Sequence, residues 1–182
     1  MASEWTPLYG AAIGGVIGAF GGSWYQAYLR GRESVTNWFW QTAIAECVEP
    51  LICYLEQITS EIGTKSGDFV TAPESLPLPF GATARLFTIT GVENITYAFR
   101  MLKNLAVLGV EVDHVQEAKA LSDTLKNQLQ ELHKVLVSVK IKNRSDFYEL
   151  HKLKVVGAVA IQIEESVAEI WDFCEKHSSV KV

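Results

Sequence analysis

From Trp5 to Leu29 the chain carries no charged residue, and glycine returns at every fourth position through Gly10, Gly14, Gly18 and Gly22. No other feature narrows the possible folds as much. In water each of these glycines would weaken a helix by about 1 kcal/mol relative to alanine. In hydrocarbon a lone segment must satisfy its own backbone hydrogen bonds, which leaves a helix. There the small residues gain a use, because one flat face lets two helix backbones approach closely. Gly15, Ala11 and Ala19 widen that face, and Ile13, Ile17 and Phe20 load the opposite one.

The segment is also the right length. At ~1.5 Å per residue, Trp5 to Trp24 spans about 28 Å, close to the ~30 Å hydrocarbon core. Trp5 would anchor one interface, and Trp24 and Tyr25 the other, as amphipathic rings do at membrane boundaries. Arg30 and Arg32 follow the segment, whereas Glu4 precedes it. The positive flank stays inside, so the N-terminus is expected outside and the rest of the chain in the cytoplasm. Met1-Ala2-Ser3-Glu4 lacks the basic start of a cleaved signal peptide. The expected layout is a short tail at 1–6, a single transmembrane helix with a glycine zipper at 7–29, and a cytoplasmic helical bundle at 30–182.

Apolar periodicity predicts an all-α domain after the anchor. Ile44, Val48, Leu51, Leu55, Ile58 and Ile62 alternate steps of four and three, a heptad seam on a helix of about 33–62. Pro50 must kink that helix or start another. Residues 63–81, with Pro73, Pro77 and Pro79, read as a loop. A second helix is expected from Ala82 or Val92 to Leu108, a third from Asp113 to Lys142 with Asp113 as its cap, and a fourth from Ser145 to His177 with Ser145 as its cap. Ala118, Leu121, Leu125, Leu129, Leu132, Leu136 and Val139 form the third seam, and Leu153, Val156, Ala160, Ile163, Val167, Ile170 and Cys174 the fourth. The last two helices make an antiparallel hairpin, so the domain is an antiparallel bundle or coiled coil of about four helices.

The net charge of -5 gives no global attraction to nucleic acid, and no nucleic-acid partner is expected. Cys47, Cys53 and Cys174 are three widely spaced thiols, which read as small core residues and not as a disulfide framework. Phosphate loops, HExxH, CxxC and a nucleophile elbow are all absent from the sequence, so neither catalytic nor cofactor-binding residues are assigned. No metal is expected either. The one constellation weighed for it joins His114, Cys174 and His177 with Asp113 or Glu117 across the hairpin, against solvated histidines and a core thiol.

A basic tip at Lys140, Lys142, Arg144, Lys152 and Lys154 outweighs Asp146 and Glu149. If the first helix leads away from the bilayer, this tip lies distal and the acidic end of the last helix lies near the membrane. The expected function is non-enzymatic: a self-associating, homo-oligomeric membrane protein presenting its bundle to a cytoplasmic protein partner from the plasma or inner membrane. The alternatives are a membrane-disrupting, pore-forming oligomer gated by the bundle, and a soluble helical-bundle binding protein.

Overall fold

The computed structural model describes residues 30–64 and 77–177. Among them the regular structure is all helical, in six main helices where periodicity alone predicts about four. The anchor expected at 7–29 lies outside the described residues, and with it Gly10, Gly14, Gly15, Gly18, Gly22, Trp5, Trp24 and Tyr25. Among the described residues no helix is long and apolar enough to cross a membrane.

Helix α1 covers residues 30–48 and α2 covers Glu49–Glu61, joined without a break. The second half of α1, Trp40–Val48, is wound as a π-helix, so the Glu49 N–H bonds to the Ile44 carbonyl five residues back. Proline explains part of this junction. Pro50 has no N–H, so the carbonyl of Glu46 has no α-helical donor four residues ahead. Arg85 supplies one from a neighbouring helix at 3.3 Å. The predicted seam is intact through the junction: Ile44, Val48, Leu51, Leu55, Ile58 and Ile62 are all buried.

The expected second helix is two, α3 at Phe80–Thr90 and α4 at Ile95–Leu108. Gly91, at φ 74°, closes α3 with its N–H on the Phe87 carbonyl, and Asn94, at φ 61°, turns the chain into α4. Two left-handed residues so close together end any continuous helix. Thr90, whose β-branched neighbours resemble a strand in sequence, bonds its hydroxyl back to the Leu86 carbonyl and stays helical.

Helix α5 is Val115–Ser138 and α6 is Lys154–His177. Both are shorter than predicted. Asp113 does not cap α5; it lies in a preceding 3-10 turn, Val112–His114, and is exposed. Ser145 does not cap α6 either. Residues Arg144–Lys152 form a 3-10 helix, capped by Asn143 and Asp146, before α6 begins. Most of each predicted stripe of α5 and α6 is core, with Leu125, Leu129, Leu132, Leu136, Val156, Ile163, Val167 and Ile170 buried, but Leu121 and Val139 are only half-buried, and Leu153, in the turn before α6, is 40% exposed.

Helix α5 packs between α2 and α6, α4 covers α6 and α2, and α3 lies on α1. Glu49 faces His133 at 3.6 Å while Thr59 and Ser122 share a hydrogen bond of 2.7 Å, so α2 and α5 run antiparallel. His114 meets His177, so α5 and α6 do too. Cys47 and Cys174 are core residues, as read from sequence, but Cys53 is exposed on α2.

Candidate functional site

The bundle has two chemically distinct ends, and the helix directions decide which residues meet at each. At the first, α1 enters. Its residues 30–37 are exposed apart from the half-buried Val35, so the helix protrudes before it joins the core. Arg30 and Arg32 stand exposed on its first turn. At Trp38 the helix meets the 3-10 segment. The Trp38 ring packs edge-on to buried Phe147, with centroids 5.6 Å apart, and the Arg144 guanidinium lies 5.1 Å from the Trp38 ring centre. A guanidinium over an indole face gains cation–π attraction.

This contact corrects the expected arrangement of charge. The basic tip is not remote from the entry of α1 but beside it. Lys140, Lys142, Arg144, Lys152 and Lys154 are exposed there, and Lys152 is paired with Glu149 at 3.2 Å. The turn is held by Asp146, whose carboxylate accepts from the Lys142 N–H at 2.7 Å and the Asn143 N–H at 3.2 Å. Those backbone donors hold its pKa below the ordinary carboxylate value. Trp40 and Tyr148 add exposed aromatic surface at 41% and 63%.

The opposite end carries His114, Glu117 and His177, whose candidate ligand atoms all lie within 4.8 Å of one another. The His114 and His177 ring centres are 3.8 Å apart, and His114 Nδ1 is 3.6 Å from a Glu117 carboxylate oxygen. Buried Phe173, one turn before His177, flanks both imidazoles, at 4.9 Å from His177 and 6.3 Å from His114. Two members of the constellation weighed in the sequence are not part of this group. Cys174 is turned into the core, where burial pushes its thiol up to about 11, and Asp113 is exposed outside the cluster.

From the basic end, α6 and the α3–α4 turn border an open groove of about 470 Å³ lined by Thr90, Gly91, Lys154, Gly157, Ile161 and Glu164 among others.

Sequence reasoning missed two positioning groups. The partner of Trp38, Phe147, lies more than a hundred residues along the chain, so no local pattern announces the contact. Arg85 had one available signal: Pro50 leaves a carbonyl that some donor must satisfy. The chain matches no protein-family profile, no curated protein and no solved structure.

Proposed function

We propose that the chain is a non-enzymatic single-pass membrane protein that self-associates through Gly10, Gly14, Gly18 and Gly22 and holds its helical bundle in the cytoplasm for a protein partner. One observation carries the reading: α1 enters the bundle at its basic, aromatic end. A helix leaving the uncharged segment at Arg30 brings Lys140, Lys142 and Arg144 to the same side as Arg30 and Arg32. Cations next to a cytoplasmic leaflet gain about 1 kcal/mol each from its anionic lipids. They also agree with the orientation set by the flanking arginines. The His114–His177 end then points away from the bilayer.

The test uses the full chain. Wild type should stay with membranes after alkaline carbonate washing. In detergent it should run as an oligomer that a Gly14→Leu, Gly18→Leu double variant reduces to smaller species. Recovery without detergent would defeat the anchor, and equal sizes would defeat the glycine interface. In a Cys53→Ser background, a nitroxide at Lys142→Cys should be broadened by a lipid-tethered relaxation agent more than one at Val112→Cys. The reverse order would defeat the orientation of the bundle.

A further inference from the structure

We propose that His114, Glu117 and His177 form a binding site for one divalent transition-metal ion of the zinc class, bridging the start of α5 to the end of α6. The donor set is two imidazoles and one carboxylate, which suits borderline ions such as Zn²⁺. It does not suit Ca²⁺ or Mg²⁺, which take oxygen ligands in larger number. Three protein ligands leave a fourth tetrahedral position for water or an external ligand.

The geometry is near that of a bound state. Bonds of about 2.0–2.1 Å set tetrahedral ligand-to-ligand edges of about 3.4 Å. The His114–Glu117 pair, at 3.6 Å, already approaches this spacing. The widest separation in the group is no more than 4.8 Å, so an ion would have to draw that pair together by at most about 1.4 Å. Glu117, 60% exposed, has the freedom to make that movement.

The backbone holds the ligands in register. The 3-10 turn fixes His114, whose N–H donates to the Glu111 carbonyl at 2.9 Å. Glu117 is three residues further on and therefore on the same side of α5. His177 comes from the antiparallel helix, brought across by the packing of α5 on α6. Phe173 closes the core side of the site, so an ion there would exchange with solvent only outward. The residues next to the ligands in the chain are mixed in charge, with Glu111, Asp113 and Glu175 against Lys176, and the two helix ends contribute opposite dipoles. The ligand set, and not the general field, must therefore supply the selectivity.

Such an ion joins residues that are distant in the chain and binds only the folded bundle, so it would raise stability by mass action. The proposal does not depend on the membrane reading.

The experiment is a zinc titration of chelator-stripped full-length protein in detergent, with parallel thermal unfolding. The expected result is one equivalent bound per chain and a rise in Tm that Mg²⁺ does not reproduce. His114→Gln, His177→Gln and the exposed change Glu117→Gln should each lower the affinity at least tenfold and abolish most of the Tm rise. His133→Gln and Cys53→Ser should leave both unchanged. Failure of wild type to bind an equivalent would overturn the site. So would zinc binding that survives a His114→Gln, His177→Gln double variant whose melting without zinc matches wild type.

Discussion

Arg85 holds Glu46 twice, once through the carboxylate at 2.8 Å and once through the backbone carbonyl at 3.3 Å. The second bond fills the place left by the missing N–H of Pro50. The carboxylate pair is about 40% exposed on both sides, so solvent screens it and its own contribution is small. Arg85→Ala should therefore cost about 1 kcal/mol in urea unfolding, whereas Glu46→Ala should cost under about 0.5 kcal/mol. A double-mutant cycle checks the division, and equal costs for the two single changes would show that the carbonyl bond adds nothing.

The break between α3 and α4 rests on Gly91 at φ 74° and Asn94 at φ 61°. A methyl group at Gly91 would meet only His151 Cβ, at an ordinary 3.9 Å, so the cost of Gly91→Ala is a backbone cost. It should be about 1–2 kcal/mol. Asn94→Gly should stay within about 0.5 kcal/mol of wild type, since glycine adopts this conformation without strain. Chemical denaturation of both variants is the check. A neutral Gly91→Ala would mean that the helices can join.

Asp146 predicts an acid dependence with a definite sign. Its carboxyl is held below 3.8 by the backbone N–H groups of Lys142 and Asn143. A lowered folded pKa stabilises the fold above the unfolded value and loses that contribution as pH falls through the folded one. The Tm difference between wild type and Asp146→Ala should thus be constant near neutrality and shrink as pH drops below about 4. A difference that persists unchanged into strong acid would remove the charged acceptor from the explanation.

Tyr54 places a hydroxyl in the interior with no hydrogen-bond partner among the described residues. Its ring is used, lying 6.0 Å from Phe99. Burial and the nearby Glu61 charge both push the phenol pKa up. Tyr54→Phe keeps the ring and removes the unpaired donor, so stability should hold or rise by up to about 1 kcal/mol. A loss of more than about 1 kcal/mol on unfolding would reveal a partner for the hydroxyl.

The sequence by itself determined most of the interior stripe of each helix, although Leu153, read as seam, lies exposed before α6. Ile44, Leu51, Ile58, Leu129, Ile163 and Ile170 recur at helical spacing, and burial follows because each helix has one apolar stripe to hide. It marked Pro50 as an interruption for a local reason of backbone chemistry. It did not determine what each stripe faces. Only the tertiary structure decided that Trp38 meets Phe147 and Arg144, which puts the basic segment beside the entry of α1. The hairpin had already put His114, Glu117 and His177 within reach of one another in the sequence, but only packing turned Cys174 inward and left Asp113 outside the group. Caps also escaped the sequence: Asp113 and Ser145 have the right chemistry, but a 3-10 turn took up each position first. Periodicity reports the angle of a residue about its own helix axis. Direction, partner and winding depend on energies shared between helices distant in the chain.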